Sequence, residues 1–491
     1  MIFGLLKINT INKLGIVFDF LKKNIELIIM KKIIICSLTF LFSITLFSQS
    51  NEECFSNLSI FAEYAKVKNY KEAYQPWLDL KSECPDINSA VYVLGERMLK
   101  SFIKNSEGNA KDEFQEDLVE LYDEWLTYFP KSKRGVSEVG KILAIKAQTL
   151  IDYKLAEDSE IFEIYDQAFK KDSKSFKSPK GLYNYFKIYF RLYKTGMEDV
   201  TLEKVFEKYE ELTEKFEFEM GAYTLKLDKL LEKETNGDPL SSRETKNKRV
   251  YEVNMVACNT YLNNLNTIIA KESTCENLIP LYRKNFDKFK SDSVWLNRAA
   301  SRMDSKDCSD DPLFVELVEA LHALNPSANS AYYLGLLNDK KGETNLAIQY
   351  YNESIELESS NLKKAKTLYK IALKFKKSGQ FSKSRTYANK ALGFQPSMGR
   401  AYLLIANLYA SSANNCGKTQ FEKRSIYWLA LKQAKKAASV DASIRKLANK
   451  TALSYEGRAP SKTDIFSEAM SGKTISFKCW IGKSVTVPSL N

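Results

Sequence analysis

At 491 residues, with 44% hydrophobic and 12% aromatic content, the chain is long enough to bury a core in two or three substructures. Only 19 Gly and 11 Pro disfavour a strand-and-turn architecture and favour long helices. The net charge of +12 comes from 73 basic and 61 acidic residues that are mostly interspersed. That pattern belongs to solvated helix faces and excludes the clustered footprint that nucleic acid requires.

The first signal along the chain concerns export. Met30-Lys31-Lys32, the apolar run from Ile33 to Phe47 and the small residue Ser48 before Gln49 read as a secretory signal peptide over residues 30–48. The run is too short to span a bilayer, so no stable transmembrane span is expected after cleavage. Residues 1–29 then form a spurious extension, with Met30 as initiator; the alternative keeps Met1 and leaves Ile33 to Phe47 as an anchor. Cys36 lies too early in the run for a lipoprotein cleavage site.

Residues 49–248 read as a degenerate helical array. Phe55, Leu58, Phe61, Ala62 and Ala65 make one stripe, and Tyr70, Ala73, Tyr74, Trp77, Leu78 and Leu80 the next, with Pro85 as a stop. Further helical stripes follow to Leu231, punctuated by Pro130, Pro179 and Gly196. The polar stretch Glu232 to Lys248, holding Asn236-Gly237-Asp238-Pro239, is expected to be a boundary or mobile loop.

Residues 249–456 form the second domain, with clear repeats at 328–441. Leu334, Gly335, Gly342, Ala347, Tyr351, Ser354 and Ser359 find counterparts 37 residues later in Ile371, Ala372, Gly379, Ser384, Ala388, Ala391 and Pro396. A further shift of 34 carries Leu368, Ile371, Ala372 and Phe375 onto Tyr402, Ile405, Ala406 and Tyr409. A shift of 46 carries Ser384, Ala391 and Gln395 onto Ala430, Ala437 and Asp441, which places an insertion, Ser411 to Arg424, in the third turn. Small residues fall where two antiparallel helices approach closely, and bulky ones sit three or four apart. Gly342 and Gly379 suit the turns, and Asn325-Pro326 and Gln395-Pro396 close their repeats.

These positions resemble the tetratricopeptide repeat (TPR) family over about a quarter of the chain. Asn69 to Ala73 also looks like the start of a TPR second helix. Departures are Ser354 and Ser384 where the family prefers alanine, Ser359 in place of a closing proline, and no tryptophan in the three first helices. The fold class is all-α: a helix-turn-helix, TPR-like solenoid with a small C-terminal β-hairpin. In TPR proteins the first helices line a concave groove. By that resemblance Asn329, Tyr332, Tyr333, Leu336 and Lys340, then Lys366, Tyr369, Lys370 and Leu373, then Arg400, Leu403, Leu404 and Asn407 face a groove for a protein or peptide partner. They do not reproduce the Lys/Asn pattern of TPR domains that clamp a terminal carboxylate.

Ala442 to Tyr455 reads as a final capping helix with its stripe at Ile444, Leu447, Ala448 and Leu453. Residues 457–491 form a tail in which Thr474 to Val487 alternates as a strand would, with Gly482-Lys483 as the turn. Ile475, Phe477, Cys479 and Ile481 share a face, and a lone hairpin is marginal in water, so the tail is expected to dock on the last repeats. The competing expectation is a free sorting signal.

No catalytic chemistry assembles. The single histidine, His322, lies on the flank of an apolar helix stripe. Asp304, Asp307, Asp310 and Asp311 lack the spacing and central glycine of a calcium loop, and Asp310 or Asp311 suits a helix cap. Gly472-Lys473-Thr474 lacks the first glycine of a phosphate loop, which falls on Ser467. No metal or cofactor is expected.

Seven cysteines remain after Cys36, without a C-x-x-C. Cys54 opens one helix and Cys84 ends its antiparallel neighbour, and Cys275 and Cys308 repeat the arrangement. Both are expected as disulfides, and Cys416–Cys479 as a third that pins the tail, leaving Cys258 a buried thiol. Taken whole, the chain resembles secreted bacterial TPR proteins. That resemblance implies a non-enzymatic scaffold for protein–protein interaction, periplasmic or at the outer membrane; the alternative is a cell-surface carbohydrate or nutrient binder built on TPR helices.

Overall fold

The computed structural model describes residues 52–490; residues 30–48, read as a signal peptide, and residues 1–29, read as an extension, lie outside the described residues. The chain divides into two compact units, and the break falls within residues 157–177 rather than at residue 248.

The first unit covers described residues up to Glu157 together with Ile164–Phe176. It holds α1 (residues 52–66), α2 (Tyr70–Glu83), α3 (Ala90–Asn105), α4 (Asn109–Tyr128), α5 (Val139–Tyr153) and most of α6 (Asp158–Asp172). Phe61, Ala73, Trp77, Leu80, Tyr92, Leu99 and Tyr122 make its core. Phe55, expected in the first stripe, is instead 61% exposed. Gly95 lets Trp77 lie flat on α3, and the Trp77 indole donates to the Val91 carbonyl at 3.0 Å. Cys54 and Cys84 are joined across α1 and α2, with Cα atoms 6.1 Å apart.

The second unit begins with α7 (Pro179–Lys194), α8 (Leu202–Thr235) and α9 (Ser242–Ile269). The stretch expected as a mobile loop, Glu232 to Lys248, is mostly helix. Asn236 and Gly237 end α8, and a Ser241–Glu244 capping box starts α9. Lys233–Glu244 and Lys248–Glu234 then bind the two helices across the turn at 3.0 and 2.7 Å. Helical propensity and these cross-pairs overrode the turn signal, which sets only six residues, 236–241, outside the helices.

Paired helices follow: α10 (Cys275–Phe289), α11 (Ser293–Ser305), α12 (Pro312–Leu324), α13 (Ala328–Lys340), α14 (Thr344–Leu357), α15 (Asn361–Lys377), α16 (Phe381–Phe394) and α17 (Gly399–Ser411). The third repeat continues with the short α18 (Ala413–Cys416) and α19 (Gln420–Val440). Its insertion is therefore mostly helix, because α18 lies within it and a Thr419–Glu422 capping box starts α19 a full turn and more before the repeat requires. A 3₁₀ turn (Ala442–Ile444), α20 (Arg445–Glu456) and α21 (Lys462–Ser467) lead to β1 (Thr474–Phe477) and β2 (Lys483–Thr486), antiparallel with Phe477 opposite Lys483.

The repeats are the TPR-like helix-turn-helix pairs that the offsets imply. Ala347, Ala372, Ala391, Ala406 and Ala430 are all buried at the crossings. Gly342 and Gly379 turn at φ +81° and +74°, a backbone conformation that other residues rarely adopt. Ser354 and Ser384, which break the alanine preference, are fully buried and donate to the Ala328 and Ala372 carbonyls of their own first helices at 2.6 and 2.7 Å. Each hydroxyl thus replaces a methyl contact with a hydrogen bond across the pair. The capping helix buries Ile444, Ala448, Ala452 and Tyr455, while Leu447 and Leu453 stand 58% and 69% exposed. The expected stripe was rotated, since the 3₁₀ turn before α20 shifts its phase.

A Cβ on Gly335 would lie 2.5 Å from the ring of Tyr351, itself 1% exposed, whereas one on the helical Gly393 meets nothing. Gly335→Ala is therefore expected to lose about 1–2 kcal/mol, overpacking outweighing the gain in helix propensity. Gly393→Ala is expected to gain about 0.5–1 kcal/mol. Urea unfolding of the two variants checks the contrast; equal shifts would refute the close crossing.

Candidate interaction surface

The first helices of successive pairs, α11, α13, α15, α17 and α20, should form one continuous face. In the second unit that face is covered from within by α8 and α9. Glu210, Glu214, Glu217, Gly221 and Asp228 recur on α8 at intervals of three, four or seven and so share one side of it. Glu210 pairs with Arg302 and Glu214 with Arg298, both on α11, the latter at 3.1 Å. Glu217 pairs with Lys366 on α15 at 3.2 Å, and Gly221 faces Leu362. Asp228 accepts from the Ser397 amide, just ahead of α17, at 3.2 Å. From Glu210 to Asp228 the helix rises about 27 Å, enough to cross three first helices. On α9, Asn259 accepts from Arg400 at 3.3 Å and Glu252 from Arg445 at 3.1 Å.

Electrostatics differ along this cover. Arg302 is 4% exposed and its guanidinium lies over the rings of Phe206 and Tyr209, 4.9 and 4.4 Å from their centroids. Burial pulls it down to about 10, so it stays charged at neutral pH and is held by Glu210. Lys215 and Glu219 form a second buried pair at 2.5 Å. Burial raises the Asp228 carboxyl, and it pushes the Cys258 thiol up to about 11, with the Glu219 charge adding to the shift. Lys366–Glu217 and Arg445–Glu252 are by contrast largely exposed, pairs that contribute up to about 1 kcal/mol each. A thiol that is neutral and buried should resist alkylation. Folded protein at pH 8 is expected to leave Cys258 unmodified by maleimide, and denatured protein to label it fully; native labelling would show α8 and α9 parted at that level.

The residues assigned to the groove fall into three groups. Tyr332, Tyr333, Leu336, Leu403 and Leu404 are buried at 8% exposure or less and belong to the core between pairs, out of a partner's reach. The correction has a plain cause: these positions carry the stripe that stacks one pair on the next. Lys366 and Arg400 touch the α8–α9 cover, and Tyr369 is half-buried, its hydroxyl pKa raised by burial. Lys370 lies over the Tyr332 ring at 5.4 Å, while Leu373 stays 39% exposed. Asn329 donates to Asn297 at 2.8 Å, and Asn407 accepts from the Tyr455 hydroxyl.

Lys340 belongs to a cluster that sequence reasoning divided. Asp311 caps α12, as expected of it. Asp310 and Ser309 instead hold Lys340 at 2.6 and 2.8 Å. Asp304, 8% exposed, accepts from Tyr332 at 3.2 Å and Lys374 at 3.1 Å, and Asp307 pairs with Lys377 at 3.3 Å. The acidic turn after α11 thus binds the lysine row of the next pairs. His322 is half-buried, its Nδ1 3.0 Å from the Ser330 hydroxyl.

The tail docks on the last repeats. Ile475, Phe477, Ile481 and Val487 are buried, and the Trp480 indole donates to Ser412 at 2.9 Å between the rings of Phe381 and Tyr409. Arg385 stacks on Trp480 and donates to the Trp480 and Ile481 carbonyls. Cys416 and Cys479 are joined, as are Cys275 and Cys308, with Cα atoms 5.4 and 5.5 Å apart. Trp480→Ala is expected to cost about 2–3 kcal/mol in urea unfolding. An unchanged midpoint would leave the tail a passenger rather than a part of the fold.

No family model matches the chain, and no curated protein matches it. Among solved structures, the APC/C hetero-tetramer Cut9–Hcn1 is similar at 12% identity and TM-score 0.28, over 83% of this chain and 90% of that one. Yeast Tom70 is similar at 13% identity and TM-score 0.24, over 85% and 80%. The human IFIT1 dimer with m7Gppp-AAAA is similar at 10% identity and TM-score 0.24, over 84% and 81%. Within the described residues no helix is long and apolar enough to cross a membrane. By its own helix pairs, turns and crossings, the second unit is a TPR-like all-α fold closed by a small β-hairpin.

Proposed function

We propose that the chain is an exported, non-enzymatic scaffold of the periplasm or outer membrane that holds a protein partner on its repeats. The carrying observation is the charged first-helix face of the second unit, which takes Lys366, Lys370 and Leu373 from α15, Arg400 from α17 and Arg445 from the capping α20. Repeats of this kind offer side chains on a rigid frame over a long surface, which suits a helical or extended segment of another protein. Export is supported by the signal-like residues 30–48 and by three joined cysteine pairs, a use of cysteine that belongs to oxidising compartments.

Photo-crosslinking in cells tests both parts. A benzophenone side chain at Leu373, on the first-helix face, is expected to capture one discrete protein in the periplasmic or membrane fraction. The same group at Asn389, exposed on the second helix α16, should not. Non-reducing peptide mapping of that fraction should return all three disulfides. Recovery of the chain in the cytosol with free thiols would sink the export reading, and identical capture from both positions would sink the surface.

A further inference from the structure

The α8–α9 hairpin is unevenly fastened. Near its base Val205, Phe206, Leu212 and Phe216 on α8 and Leu265 and Ile269 on α9 are all buried. Between Phe216 and Cys258 no apolar side chain is buried. Several there face solvent, Phe218 at 67%, Leu225 at 53% and Val253 at 61% exposure. Beyond the packing of Gly221 against Leu362, the bonds that hold this outer half to the repeats are polar: Glu217 to Lys366, Asp228 to the Ser397 amide, Asn259 to Arg400 and Glu252 to Arg445. Exposed ion pairs are weak and screened by salt, and segments with little apolar burial open well below the free energy of global unfolding. The outer half is nevertheless coherent in itself, tied across its turn by Lys233–Glu244 and Lys248–Glu234. It can lift as a body without unravelling.

We propose that the outer half of the α8–α9 hairpin is a displaceable cover, and that the row Lys366, Arg400 and Arg445 beneath it binds an acidic amphipathic helix of a partner protein. The inference rests on the scaffold reading and names the partner's chemistry. The cover itself supplies the argument: the groups seated on this row come from two helices, with Glu217 of α8 on Lys366, and Asn259 and Glu252, seven residues apart on α9, on Arg400 and Arg445. Successive first helices lie about 10 Å apart, which is the rise of seven residues of an α-helix. A partner helix with Asp or Glu at seven-residue intervals meets Lys366, Arg400 and Arg445 in turn, as α9 meets Arg400 and Arg445 with Asn259 and Glu252. Binding then requires the cover to leave, so affinity is set by the difference between two helices competing for one basic row.

The test uses the full mature chain and a fluorescein-labelled synthetic peptide with the sequence of residues 202–221, which carries Glu203, Glu210 and Glu217 at seven-residue intervals. In hydrogen exchange of the wild type, amides of residues 220–256 should exchange faster than those of 205–216 and 262–269. Glu217→Lys with Glu252→Lys, which loosens the cover, should raise peptide affinity about tenfold or more. Adding Lys366→Gln, Arg400→Gln and Arg445→Gln, which removes the row's charge without rebuilding the cover's ion pairs, should abolish the gain. A Gly221→Cys and Leu362→Cys disulfide, built where these residues already face each other, should remove binding in any background. If residues 220–256 exchange in step with the base, or the loosened variant gains nothing, the hairpin is permanent structure and the inference falls. A protein captured at Leu373 in cells under those same outcomes leaves the scaffold reading intact.

Discussion

A helix pair of this kind buries one side of each helix against its partner and leaves the other sides bare, so every pair needs a neighbour on each open face. The second unit meets that need in three ways. Between pairs the covering is apolar, with Tyr333, Tyr351, Phe375 and Tyr387 running through the stack. At the C-terminal end it is a hairpin too small to stand alone, held by Trp480, Arg385 and the Cys416–Cys479 link. Over the first helices it is α8 and α9, and there the contacts are mainly charged. The chemistry of each covering follows from what the repeats leave exposed. A face whose bulky residues have turned inward to stack the pairs offers lysines and arginines, and polar side chains, most of them carboxylates, answer them.

Charge also fixes where the cover sits. Burying Arg302 carries a desolvation cost of several kcal/mol that is offset only by a partner in good geometry. Glu210, with the faces of Phe206 and Tyr209, supplies that partner at one place along α8 and no other. A helix packed by leucines alone could slide by a turn at small loss, whereas a one-turn slip here could bring Glu214 to Arg302 but would lift its guanidinium off the faces of Phe206 and Tyr209. The buried Lys215–Glu219 pair works within α8 itself and leaves its register unaffected. Position is therefore set at the base, and the outer half follows through exposed pairs that add little stability.

Much of this was legible in the sequence. Repeat offsets located every crossing alanine and both turn glycines, because those contacts recur at a fixed separation and leave a periodic trace. Cysteine spacing located two of the bridges, since helix ends of an antiparallel pair must meet, and the third followed from the tail docking over the insertion that holds Cys416. The tail's alternation and its apolar face gave both the hairpin and its docking. Other expectations failed for local reasons. Leu447 and Leu453 were placed inward by an unbroken helical phase that the 3₁₀ turn interrupts. Asn236-Gly237 marked a true turn, but the polar residues around it belong to helices stabilised by pairs between strands of sequence that only the fold brings together.

The interaction surface was the least legible part, and the reason is distance along the chain. Assigning Tyr332 and Tyr333 outward treated the first helices as if only their own repeats decided exposure. Tyr332 and Tyr333 are buried by the stacking of neighbouring pairs. The cover over the face's arginines comes from residues 84, 141 and 193 positions away from them, at Glu214, Asn259 and Glu252. No periodicity announces such contacts, because they occur once. A trace was present all the same. In a chain with a net charge of +12, α8 sets Glu210, Glu214, Glu217 and Asp228 on one side at helical spacing. An acidic stripe of that length on a long helix, in a protein whose repeats carry basic first helices, asks for a basic face of matching length, and the nearest one lies in the same chain.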